Sequence, residues 1–208
     1  MFIPIKDENP TRNKPVVTFA LIIINCLVYL YSMTKSAQGF QIFTFQYGLI
    51  PYEIVHLSEL TPQISSPILL TPFTSMFMHG GFMHLAGNML YLWIFGNNIE
   101  DHLGHVRFLL FYLLTGIIAA VTHTVIFSGS LVPMVGASGA ISGVLGAYAI
   151  TYPKARVVVM IWLLIIIKFV RIPAFIVLGL WFLFQINGGF GSFTGEDQGI
   201  AWFAHIGG

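Results

Sequence analysis

Apolar residues in this chain run in long blocks, separated by stretches where polar residues, proline and glycine collect. The first block, Val16–Met33, approaches the roughly 20 residues that cross a bilayer as a helix. A long mixed segment follows over 34–79, broken by Pro51, Pro62, Pro67 and Pro72. Blocks at 82–98, 108–128, 137–152 and 173–186 predict four more helical spans, and 199–208 reads as the opening turns of a sixth that is cut short. One stretch fits less well: 157–167 is apolar but only 11 residues long, bounded by Lys154, Arg156, Lys168 and Arg171. It is short for a span and predicts a segment lying at the membrane interface or extending the fourth helix.

The expected architecture is an all-α, polytopic six-helix bundle, with a tail over 1–15 and one transmembrane domain over 16–208 whose sixth helix is incomplete. Basic residues orient it. Lys6, Arg12 and Lys14 precede the first span, Arg107 joins the second to the third, and Lys154, Arg156, Lys168 and Arg171 join the fourth to the fifth. All of these fall on one side, and of the nine Lys and Arg only Lys35 falls on the other. The N-terminus is therefore expected to be cytoplasmic. A full span at 157–167 would split the second basic cluster across the membrane, which argues against one.

Composition agrees with this picture. Of 208 residues, 56% are hydrophobic and 8% charged, with a mean hydropathy of +0.83. Soluble domains carry about a quarter charged residues, so the chain reads as an integral membrane protein; the expected location is the plasma (cell inner) membrane, multi-pass. A net charge of +1 gives no basis for nucleic-acid binding. The single cysteine, Cys26, cannot form an intrachain disulfide and reads as a small residue of the first span. No cleavable signal peptide is expected, since no small-residue cleavage site follows the first block.

Against this background the polar residues inside the apolar blocks carry the functional signal, because polar side chains in a bilayer are costly. His84 and Asn88 lie near the start of the second span, Ser138 at the start of the fourth and His205 in the sixth. With the N-terminus inside, these three spans all enter from the outer face. The four side chains therefore converge at similar depth in the outer half of the membrane.

A serine between Gly136 and Gly139 has room for a substrate carbonyl, but its hydroxyl needs a base to become a nucleophile. His205 supplies a group that titrates near neutral pH. Gly139/Gly143 and Ala204/Gly208 are small-residue pairs that let two helices approach closely. Each feature has a plainer reading: a tightly packed helix whose serine bonds its own carbonyls, or a histidine that is a buried hydrogen bonder or a metal or haem ligand. His84 and Asn88, four residues apart, share a helix face and could donate to an oxyanion or tie helices together. His79 precedes that helix, with a structural and a site role both open. No carboxylate lies within the spans, since Glu196 and Asp197 precede the sixth segment and Glu100 and Asp101 lie on the cytoplasmic side. A Ser–His dyad is thus expected rather than a triad. No His-Glu-x-x-His motif suggests a metal site, and no cofactor is expected.

The run from His79 through His84 to Asn88, then Gly136-Ala137-Ser138-Gly139, then Ala204-His205-Ile206-Gly207 resembles the rhomboid family of intramembrane serine proteases. The turn Gly96 to Gly104, with Arg107-Phe108, is similar to that family's turn after its second helix. The resemblance covers about 71–208 and implies a six-helix core with Ser138 as nucleophile and His205 as base. It assigns the oxyanion contacts to the Ser138 amide, His84 and Asn88, with Gly136 and His79 in the substrate-binding region. It implies that the 34–79 loop partly inserts in the outer leaflet, and that the substrates are transmembrane proteins cut near the outer face. Two positions depart from the family pattern: a Trp-Arg pair in the first loop is absent, and Ser142 stands where a tyrosine often lies under the histidine. The alternatives are a catalytically silent rhomboid-like protein that binds membrane clients and a transporter or metal path through His79, His84, His123 and His205.

Overall fold

Helix α1 (Val16–Met33) coincides with the first apolar block, and its N-terminus has no cap of its own. In the computed structural model, which describes residues 2–60, 67–163, 165–194 and 202–208, that cap comes from across the bundle. The buried Glu100 carboxylate accepts from the Val17 and Thr18 amides at 2.8 and 2.7 Å and from the Thr18 hydroxyl at 2.7 Å. An anion there satisfies otherwise orphaned N–H groups and complements the helix dipole.

The mixed segment after α1 folds into three short helices, α2 (Ala37–Tyr47), α3 (Pro51–His56) and α4 (Thr71–Thr74). Helix α5 (Phe82–Tyr91) passes through a widened π-helical turn, Leu92–Gly96, into α6 (Asn97–Leu103). Gly104, at φ 79°, breaks the chain before α7 (His105–Ile126). Helix α8 (Ser138–Thr151) packs on α7 along a seam of small residues. A Cβ at Gly143 would lie 2.5 Å from Thr115 Cβ, and one at Gly139 would lie 2.5 Å from Ala119 Cβ. Glycine at these two positions is what allows the close approach. Phe95, Phe108, Tyr112, Val144 and Tyr148 fill the fully buried centre. Helices α9 (Ala174–Thr194) and α10 (Trp202–Gly207) complete the helical part.

The all-α expectation fails at two places. Strands β1 (Phe2–Asp7), β2 (Arg156–Leu163) and β3 (Ile166–Pro173) form an antiparallel sheet in the order β1-β2-β3. The apolar stretch 157–167 is therefore not an extension of the fourth helix but most of a β-hairpin. Its composition gives the reason: Val157, Val158, Val159, Ile161, Ile166, Ile167, Val170 and Ile172 are β-branched and fit a pleated surface better than a helix. The 1–15 tail does not stand apart either, since β1 pairs with β2 from Phe2↔Ile161 to Asp7↔Val157.

Among the described residues, α1 and α7 are long and apolar enough to cross a membrane, whereas α8 and the apolar stretch Ala174–Leu183 are shorter. The chain is thus mostly helical, and six crossings do not follow from helix length. Glu196, Asp197 and residues 199–201 of the expected sixth segment lie outside the described residues.

Candidate active site

Ser138 is the first residue of α8, and the loop before it is held in an unusual path. Gly136 has φ 132°, a conformation suited to glycine. Its amide donates to the Ser75 carbonyl at 2.9 Å, and Met134 and Leu49 exchange backbone hydrogen bonds at 2.7 and 3.0 Å. The loop is therefore anchored to the segments flanking α3 and α4, which fixes where the serine points.

His205 comes from α10, which packs against α7, α8 and α9. A Cβ at Gly207 would lie 2.5 Å from Thr122 Oγ1, so the missing side chain lets α10 settle on α7. The Ser138 hydroxyl and His205 Nε2 lie 2.6 Å apart. With the imidazole neutral and its proton on Nδ1, the serine O–H donates to Nε2.

The other expected residues gather beside this pair in two steps. His84 lies directly over Gly136: a Cβ there would be 2.7 Å from His84 Nε2 and 3.4 Å from Ser138 Oγ. The imidazole of His84 and the serine hydroxyl thus face the same small space. Asn88 is buried, and its Nδ2 donates to His79 Nε2 at 2.9 Å. His79 is itself buried, with its ring 5.1 Å from that of His84 in an edge-on arrangement. His79 therefore holds Asn88 and borders His84 from behind.

Two partners are not apparent from the sequence. Ser142, at the position where the related pattern often has tyrosine, donates to the Ser138 carbonyl at 2.7 Å. An aromatic ring still lies beside the histidine, because Trp181 of α9 sits 6.3 Å from His205, ring centre to ring centre. An aromatic residue in an apolar span has no sequence mark that separates it from a lipid-facing one, so no pattern could have singled it out.

A family model for the Rhomboid domain matches residues 68–208, a range that contains every site residue named above. The presenilin-associated rhomboid-like protein, mitochondrial, of Homo sapiens is 36% identical over 98 residues, covering 46% of this chain and 25% of that protein. Rhomboid protease GluP of Bacillus subtilis is 47% identical over 79 residues, covering 38% of this chain and 14% of that protein. Rhomboid protein 1, mitochondrial, of Saccharomyces cerevisiae is 30% identical over 151 residues, 70% of this chain and 39% of that protein. The chain thus spans well under half the length of these relatives. Two of the three carry a mitochondrial location in their names, so kinship points to a membrane without choosing the plasma membrane. The family model alone takes in more than half of the sequence, and the chain belongs to the rhomboid family of membrane proteins.

Proposed function

We propose that this protein is an intramembrane serine endopeptidase that cuts transmembrane protein substrates near the outer face of the bilayer. The observation that carries this reading is the 2.6 Å contact between Ser138 Oγ and His205 Nε2, formed by residues from helices far apart in sequence. In the proposed reaction His205 Nε2 takes the hydroxyl proton as Ser138 Oγ bonds to the scissile carbonyl carbon. The oxyanion that forms faces the Ser138 amide, the His84 ring and the Asn88 side chain. His205 then returns the proton to the leaving amine, and a water molecule repeats the sequence to release the acyl group.

The depth of the site supports the membrane assignment. Helix α8 has 14 residues and is about 21 Å long, against a hydrocarbon core of about 30 Å. With its C-terminal end at the basic side, Ser138 lies roughly 10 Å below the opposite surface. A regular helix hides its peptide bonds there, so glycine or other helix breakers in the substrate are needed to expose the scissile carbonyl. We read the fold as a six-helix core in a plasma (cell inner) membrane with a cytoplasmic N-terminus, supported by the side-to-side imbalance of Lys and Arg.

The test is labelling of the detergent-solubilised protein with a fluorophosphonate probe. Ser138 is expected to be modified, and Ser138→Ala and His205→Ala are each expected to abolish both labelling and proteolysis while the protein stays monodisperse. Labelling that survives in Ser138→Ala defeats the assignment. An unlabelled but folded parent favours the reading as a silent binder of membrane clients.

A further inference from the structure

The β2–β3 hairpin presents an apolar arm that the helical bundle does not cover. Its base is packed: Val157 and Val159 are fully buried in the core cluster. Its distal half is not. Trp162, Leu163, Ile166, Ile167 and Phe169 are all exposed, Phe169 to 64%, and Ile165 near the apex is 96% exposed. These residues occupy both faces, because Trp162 pairs with Ile167 and Leu163 with Ile166 on alternate sides of the pleat. Among the described residues strand β1 flanks β2 as far as the Phe2↔Ile161 pair, so the last pairs form a two-stranded ribbon there. Such a ribbon is marginal in water, and the five large apolar side chains on it, with Phe169 beside them, call for a cover.

We propose that this arm inserts shallowly into the bilayer leaflet at the sheet end of the bundle and that its basic flanks bind anionic phospholipid headgroups. Continuity supports the membrane as the occupant. Strand β3 runs directly into α9, whose first turns already present Phe175 and Ile176, with Leu180 and Leu183 beyond. Lipid therefore begins within two residues of Pro173, beside the arm.

Charge supplies the second argument. Residues 102–195 contain no Asp or Glu, while Lys154, Arg156, Lys168 and Arg171 frame the hairpin. Arg171 is paired with Glu8 at 2.6 Å and Arg156 lies in the field of the same carboxylate, so Lys154 and Lys168 are the cations proposed to face phosphates. The arrangement also limits depth. Among the described residues no strand flanks the outer edge of β3, and backbone groups without partners cannot enter hydrocarbon, so the arm stays at headgroup level, where tryptophan and snorkelling lysine are favoured. Lys168 and Arg171 on that edge also discourage addition of a further protein strand.

The test uses the full chain in nanodiscs of phosphatidylcholine with or without phosphatidylglycerol. Cys26→Ala removes the native thiol, and Ile165→Cys carries an environment-sensitive fluorophore. The expected result is a blue-shifted emission, quenched by lipids bearing a nitroxide near the headgroup and protected from aqueous iodide. Adding phosphatidylglycerol should raise the inserted-to-exposed ratio. Lys154→Gln and Lys168→Gln should each lower that gain about fivefold, the effect of one cation near an anionic surface. Iodide quenching without lipid quenching overturns the proposal. Protection from iodide without lipid quenching also overturns it, in favour of a protein partner or a second copy. Lipid quenching that ignores phosphatidylglycerol overturns the headgroup part. An unlabelled Ile165→Asp variant that stays monodisperse but loses the blue shift of Trp162, read against Trp162→Phe, gives an independent readout should the label disturb the fold.

Discussion

At Gly136 the site has no room for even one methyl group. A side chain there must adopt φ near 132°, a conformation that costs L-residues energy, and its Cβ would meet the His84 ring at 2.7 Å. Gly136→Ala is therefore expected to displace both the loop and His84, destabilising the fold by about 1–3 kcal/mol and lowering kcat on a transmembrane substrate about a hundredfold or more. A thermal melt and a cleavage assay on one preparation check it, and parental kcat would show that the loop tolerates the shift. Asn88 and His79 make a second case. Asn88→Ala should lower kcat roughly ten- to a thousandfold with less effect on KM, as expected of a contact that strengthens when charge develops. His79 bonds to Asn88 and not to Ser138, so His79→Ala should reproduce part of that loss, and the double variant should lose less than the sum. Strict additivity would separate the two residues. Ser138, His205, His84 and Asn88 were legible in the sequence because each is a polar side chain inside an apolar block. The support given by His79 was not, since a histidine before a helix carries no mark of what it holds.

Helices and strands meet at the basic end of the bundle through carboxylates. Glu100 caps α1, Asp7 accepts from Asn98 Nδ2 at 2.8 Å and from the Tyr148 hydroxyl at 2.7 Å, and Asp101 accepts from the Arg12 and Asn13 amides at 3.0 and 2.9 Å. Asp7 and Asp101 respond to pH in opposite senses. Burial pushes the Asp7 carboxyl up, so its contribution to stability is present in acid and fades as pH rises through its raised value. The Arg12 amide, with the Asn13 donors, holds the Asp101 carboxyl down. Its contribution is present above the ordinary aspartate value and is lost as pH falls through the lowered one. Hydrogen exchange should therefore show protection of the Arg12 and Asn13 amides at neutral pH that is lost only in acid, below the ordinary aspartate value of about 3.9, with Asp101→Asn weakening protection at neutral pH and converging on the parent in acid. Parental protection of both amides in Asp101→Asn at neutral pH would mean that the carboxylate does not anchor the tail. The long helices were legible because their apolar blocks match their lengths, and α1 agrees at both ends. The sheet was not, because an 11-residue apolar run is equally consistent with a helix or a buried strand when length and hydrophobicity are weighed alone. The run of valine and isoleucine from Val157 was the available signal. The pairing of β2 with a segment some 150 residues earlier leaves no local trace.

For the whole molecule, sidedness joins these observations. The carboxylate cluster, the sheet and eight of the nine Lys and Arg lie at one end of the bundle. Ser138, His205 and His84 lie toward the other, at the opposite ends of α8 and the α5–α6 helix from Tyr148, Asn98 and Glu100. Short loops rich in Lys and Arg are retained on the cytoplasmic side during insertion, so under the proposed function the site opens outward and cleavage is expected near the outer face. Two positions test this in a Cys26→Ala background. Gly129→Cys lies in the exposed loop before Ser138, where a Cβ meets nothing within 4 Å. His102→Cys lies in the exposed turn at the end of α6. In intact cells an impermeant maleimide should label Gly129→Cys and leave His102→Cys untouched until the membrane is permeabilised. The reverse pattern would place the dyad in the cytoplasmic half of the bilayer and move the expected cleavage site to the other end of the substrate helix. Equal labelling of both positions in intact cells would show a mixed orientation, which the strong charge asymmetry argues against.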